Sequence, residues 1–243
     1  MKMTHRARTM PTRTTLMALV ALAALAAPGA ARAQTSAVDA GTFRLLVDGR
    51  EVGSETFQIR QNGSGDDAVL IATGRTILDG RAGGQEVESQ LQVAGSGLRP
   101  AGYSVSVDGA DSQTIQGRVS GGRVSARVVS AAGEQGREYL ASQGAAVVDE
   151  AVAHQYYFVA RLAGSGTTRI PILIPQESRQ VMAEVVRGGT ESISVGGASV
   201  QATRLTVRPQ GGQERIVWVD GQNRVLRLEI PGRNLVAERT ELP

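Results

Sequence analysis

The chain has 243 residues, 41% hydrophobic, 3% aromatic and 20% charged, with a net charge of +3, 30 glycines and no cysteine. That length and apolar content suit one domain with its own core. Lys2 is the only lysine, and His5 and His154 are the only histidines. The chain beyond its N-terminus therefore lacks Schiff-base lysine chemistry, a Walker-type phosphate loop and multi-histidine metal sites. The missing thiols exclude cysteine catalysis, disulfides, iron–sulfur clusters and thiolate zinc sites.

Residues 1–33 read as a secretory signal peptide. Lys2, Arg6, Arg8 and Arg13 form a basic start, Leu16 to Ala27 an apolar run, and Pro28-Gly29 a break. Ala31-Arg32-Ala33 then predicts cleavage before Gln34. The apolar run is shorter than the roughly 20 residues of a comfortable membrane span. No cysteine follows it to carry a lipid anchor, and no transmembrane span is expected after cleavage. The expected location is the periplasm or the exterior. Cleavage leaves 21 arginines against 23 acidic residues, a net charge of −2, so the basic balance of the whole chain gives no argument for nucleic acid.

From residue 34 onward, apolar and polar residues alternate with period two between turn dipeptides. Tyr103, Val105 and Val107 alternate with Ser104 and Ser106, and Leu226, Leu228 and Ile230 with Arg227 and Glu229. Asp48-Gly49, Asn62-Gly63, Asp79-Gly80, Asp108-Gly109 and Asp220-Gly221 are hairpin-type turns, and Gly121-Gly122, Gly188-Gly189, Gly196-Gly197 and Gly211-Gly212 add further reversals. Strands are predicted near 42–48, 51–60, 67–79, 85–95, 100–108, 112–119, 122–130 and 135–141. More follow near 168–174, 179–188, 190–195, 198–208, 213–220, 224–230 and 233–240. The fold class is mainly β: a curved antiparallel sheet, half-barrel or barrel-like, with one amphipathic helix packed on or across it. Residues 34–243 form a single β-rich domain.

The helix is predicted over 149–163. Val152, Tyr156, Val159 and Ala163 recur at helical spacing, widened by Phe158 and Leu162. Asp149 is placed to cap its start and Gly164 to end it. Its opposite face carries Glu150, His154, Tyr157 and Arg161, which reads as a solvated polar face. Ile170-Pro171-Ile172-Leu173-Ile174-Pro175 follows as an apolar strand whose prolines place it near a sheet edge.

Chemistry-bearing groups are sparse. Glu150 and His154 share a helical face but have no third or fourth metal ligand tied to them. Ser96 and Ser165, each between glycines, lack the strand–turn–helix setting of a nucleophile elbow. Glu86 with Glu88, and Asp66 with Asp67, are adjacent acids, not carboxyls facing each other across a cleft. Arg118, Arg123, Arg127 and Arg137 make a basic stretch opposed by Glu134 and Glu138. No catalytic residue, metal ligand or cofactor site is assigned. Tyr156, Tyr157, Phe158, Leu162 and Trp218 are the candidate ligand-binding residues, on the helix and on a late strand.

The run Ala202 to Val207, then Val217-Trp218-Val219-Asp220, then Arg224 to Pro231 resembles the end of a group of exported bacterial proteins of unknown function. That group resembles the LolA/LolB-like lipoprotein-localisation superfamily, in which a curved half-barrel partly closed by helices holds acyl chains. The resemblance implies a non-catalytic binding module for an apolar or lipid-like ligand held in the curved sheet. The alternatives are an envelope hydrolase using His154 or paired carboxylates, and a structural or interaction protein with an envelope protein partner.

Overall fold

A computed structural model describes Met1 and residues 35–80, 84–141, 144–150 and 152–243. The expected signal peptide, apart from Met1, and its expected cleavage site lie outside these described residues. Fifteen strands run through the described chain. The first eight are β1 (Thr35–Val47), β2 (Arg50–Asn62), β3 (Val69–Leu78), β4 (Glu86–Ala94), β5 (Arg99–Asp108), β6 (Gln113–Ser120), β7 (Arg123–Ser130) and β8 (Gly133–Leu140). After a crossing come β9 (Ala146–Val147), the helix α1 (Tyr156–Leu162), β10 (Thr167–Ile174), β11 (Arg179–Val195), β12 (Ala198–Pro209), β13 (Arg215–Val219), β14 (Val225–Ile230) and β15 (Leu235–Arg239).

All fifteen strands belong to one sheet, in the order β8 to β1, then β15 down to β9. From β1, which lies mid-sheet, the strands meander out to the β8 edge. The chain then crosses to the far edge and meanders back until β15 pairs antiparallel with β1. Only the two-residue β9 pairs parallel, with β10. The sheet is curved and unclosed. The β8 edge is met by β11, where the Gln180 side chain accepts from Leu140 N and donates to Leu140 O, both at 2.9 Å, imitating a strand bridge.

Curvature gives fifteen half-apolar strands a shared interior. Phe43, Leu45, Ile59, Leu91, Ile115, Leu205 and Val217 point into it and are at most 1% exposed. The crossing segment fills it. Ala145 to Asp149 and Val152 to Ala160 are all buried, and all but Asp149, His154 and Gln155 of these join the main core. A smaller cluster of Val195, Ala202, Trp218 and Leu226 packs separately. Its Trp218 alternates with Val217 and Val219, which face the main core, so it lies on the other face of the sheet.

Three local expectations change. The predicted strands 179–188 and 190–195 are one strand, because Gly188-Gly189 forms a register shift between Arg187 and Thr190 and not a reversal. Residue 188 approaches the Arg204 carbonyl so closely that a Cβ there would stand 3.1 Å from it. The helix covers 156–162 and not 149–163. Asp149 does not cap it, since Gln155 stands at the N-cap without a side-chain bond. Finally, the face read as solvated is interior at two of its four positions: His154 is 1% and Tyr157 3% exposed, while Glu150 is half-buried and Arg161 exposed.

Candidate functional site

The approach to α1 is held by a buried carboxylate from β2. Glu55 accepts hydrogen bonds from Ala153 N at 2.6 Å and His154 N at 3.1 Å, and meets His154 Nδ1 at 2.5 Å. Neither side chain is exposed. The imidazole lies parallel to the Phe57 ring within 3°, with centroids 5.4 Å apart. Its other side covers Gly74 of β3, where a Cβ would come within 2.5 Å of the ring. Arg239 of β15 lies over Phe57 as well, 5.3 Å from its centroid. It makes a bidentate bond to Asp39 at 2.7 and 3.0 Å. Buried charges need such pairing to be tolerated.

A second carboxylate fixes the start of the crossing. Asp149 accepts from the Tyr103 hydroxyl at 2.6 Å and from Gln155 Nε2 at 3.1 Å, while Asp149 N donates to Gln155 Oε1 at 2.7 Å. Burial raises the Asp149 carboxyl to about 6 against these two side-chain bonds, which oppose the rise. Burial likewise raises the Tyr103 hydroxyl, helped by the neighbouring carboxylate.

These groups could have been found by strand parity. Glu55 shares its side of β2 with Phe57 and Ile59, and Asp39 shares its side of β1 with Phe43. Alternation thus puts both carboxylates on the core face. Their partners, His154 and Arg239, are 99 and 200 residues away, and no local pattern announces them.

Chemically, the Glu55–His154 pair holds backbone. Glu55 is committed to two amides and an imidazole, and neither residue lines the cavities described below. Among the described residues no three His, Cys, Asp or Glu gather as metal ligands. Glu86 and Glu88 both lie against Arg75, at 2.6 and 3.7 Å. Asp66 is exposed and accepts from Ser96 Oγ. Of the basic stretch, Arg127 pairs with Glu134 and Arg123 with Glu138.

The five candidate ligand residues separate. Tyr156, Tyr157 and Phe158 are buried in the main core and Leu162 packs against it, while Trp218 belongs to the separate cluster. Tyr157 and Phe158 meet edge to face at 5.3 Å. Arg161 lies over Tyr157 and donates to its hydroxyl at 2.9 Å. Trp218 Nε1 donates to Glu191, and Arg227 covers the indole. The interior region assigned to an apolar ligand is therefore occupied by the chain's own crossing segment.

An apolar space does exist at the ends of the mid-sheet strands, at one mouth of the curved sheet. The β1–β2 and β14–β15 turns are stitched together there, Asp48 N donating to Asn234 O and Asn234 Nδ2 to Asp48 Oδ1. Beside them a cleft of about 490 Å³ is walled by Val47, Val52, Leu78, Ile230 and Leu235. Arg50, Arg233, Asp48 and Glu150 stand at its polar margin. Arg233 is paired with Glu150, whereas Arg50 makes no ion pair among the described residues. Behind the cleft, a void of about 10 Å³ shares Glu150, Ile230 and Leu235 with it and reaches Tyr156. Tyr157, Phe158, Leu162 and Trp218 do not line it.

No family model and no curated protein matches the chain. Among solved structures it is similar to a β-barrel-like protein of domain of unknown function DUF1849 from Brucella abortus. The identity is 11% and the TM-score 0.47, over 82% of this chain and 94% of that one. It is also similar to a DUF1089 family protein from Pseudomonas aeruginosa, at 15% identity and a TM-score of 0.43, over 74% of this chain and 90% of that one.

Proposed function

We propose that this is an exported, non-catalytic binding module that takes an apolar or lipid-like ligand in the end cleft, not in the sheet interior. The observation that carries this reading is the set of five aliphatic walls around about 490 Å³, within the volume range of small-molecule sites. Arginine at the margin suits a ligand with an anionic end, and Arg50, which makes no ion pair among the described residues, stands there to meet it. Tyr156 backs the site through the small void. The other helix rings hold the crossing segment in place. Export rests on the basic, apolar and Ala-x-Ala pattern of residues 1–33. Among the described residues no helix is long and apolar enough to cross a membrane.

The test is displacement of a fluorescent fatty acid from the purified protein. Leu78→Arg and Leu235→Arg place a charge in the walls at half-buried positions, and each is expected to weaken binding at least tenfold with little change in melting temperature. Tight binding that both variants retain contradicts the assignment of the cleft, and no binding by the wild type contradicts the module itself.

A further inference from the structure

A cavity larger than the end cleft lies elsewhere, on the solvent face of β1 to β6, and is an open trough of about 1000 Å³. Strand register sets its floor. Ala40, Gln58, Thr73, Gln90, Ser104 and Gln116 stand directly across from one another on six consecutive strands. The adjacent row, by the same pairings, is Thr42, Thr56, Arg75, Glu88, Ser106 and Thr114. Both rows run perpendicular to the strands. With strands about 4.8 Å apart, each row is roughly 24 Å long. Gln116 also borders a second open space of about 500 Å³ over β6 to β8, so the trough continues past its sixth strand.

We propose that this trough is a second binding site, for a linear, uncharged, polyhydroxylated chain: a neutral glycan strand lying along the two rows. Four observations on the molecule select that class. The first row offers amides and hydroxyls, which both donate and accept, in alternation along Gln58, Thr73, Gln90, Ser104 and Gln116. The charges disfavour an anionic ligand, because Arg75 is held by Glu86 at 2.6 Å with Glu88 at 3.7 Å, leaving no free cation in the row for phosphate and one carboxylate in excess. Every strand of β1 to β6 is paired on both sides, so an extended peptide has no backbone edge to join there. Among the lining residues, Ile77 is the only exposed large hydrophobic side chain, which gives an acyl chain or amphipathic helix little to bury. Without an aromatic platform each sugar is held by hydrogen bonds alone, so affinity must accumulate along the rows.

The experiment is affinity electrophoresis of the full-length mature protein through gels containing dextran, pullulan or a mixed-linkage β-glucan, each in a series of chain lengths, with heparin as the anionic comparison. At least one neutral glycan is expected to retard the protein, increasingly with chain length and insensitively to salt. The triple variant Gln58→Ala/Gln90→Ala/Gln116→Ala is expected to lose at least tenfold of that affinity with an unchanged melting temperature. Failure of all three glycans to retard the protein would overturn the proposal. So would equal retardation of the triple variant, or retardation by heparin alone that salt abolishes and Arg118→Ala removes. A concentration-dependent dimer broken by Gln90→Arg would assign the face to a second copy of the chain and overturn it too. Fatty-acid binding at the end cleft should be untouched by the triple variant, so the two sites fail separately.

Discussion

His154 occupies the space that a side chain at residue 74 would need: a Cβ on Gly74 would stand 2.5 Å from its Cε1 and 2.8 Å from its Nδ1. The ring cannot retreat, because Phe57 stacks on it and Glu55 holds its Nδ1. Gly74→Ala should therefore destabilise the fold by about 1–3 kcal/mol, the usual range for overpacking a filled core. In the double variant Gly74→Ala/His154→Ala the two costs should be far from additive, because removing the ring frees the space the methyl needs. Urea unfolding of the four proteins of this cycle checks it; additive costs would mean that the two residues do not share the space.

The Asp149 carboxyl gives the fold a pH dependence whose sign follows from its environment. Its proton is held up to about 6 in the folded protein, against an ordinary value of 3.8. The folded state thus binds the proton more tightly than the unfolded chain. This contribution to stability is complete below about pH 4 and is lost as the pH rises through 6. Between pH 7.5 and pH 5 the wild type should gain about 1–2 kcal/mol relative to Asp149→Asn, which carries no such proton. Denaturant titrations of both proteins across that window measure the difference; curves that stay parallel would contradict the assignment.

Tyr157 and Phe158 should prove equally indispensable. Helical periodicity assigns Phe158 to the core and Tyr157 to water, but they are 1% and 3% exposed and pack edge to face. Each change to alanine should cost about 3–5 kcal/mol, a large part of the 5–15 kcal/mol that holds a typical domain together. Thermal melts of the two variants would decide, and a Tyr157→Ala protein that melts like the wild type would restore the solvated-face reading.

The contrast between those rings shows what was legible in the sequence. Strands were, because side-chain parity is a local signal: Tyr103, Val105 and Val107 all face inward, as their alternation requires. Tight turns were legible in part, since Asn62-Gly63 and Asp108-Gly109 open longer loops and not two-residue hairpins. Gly121-Gly122 and Gly196-Gly197 both adopt the positive φ that a two-residue hairpin demands. Gly188-Gly189 misleads because a pair of glycines also suits a register shift, and only the partner strand β12 shows which applies. The helix face was misread for a related reason. Glu150, His154 and Tyr157 look like a wet surface until a carboxylate 99 residues earlier, Glu55, comes to meet His154. The end cleft was hidden for the same reason, since Leu235 of β15 comes to Val52 and Leu78 of β2 and β3 from the far end of the chain and no local pattern joins them.

The central claim is that the end cleft, and not the filled interior, carries the ligand. Native mass spectrometry of protein purified from the envelope fraction tests it most directly, comparing wild type with Leu78→Arg. The account predicts an apolar ligand mass on the wild type that is absent from the variant while both fold alike. A ligand retained equally by Leu78→Arg, or lost only when the crossing segment is disrupted by Phe158→Ala, would contradict it.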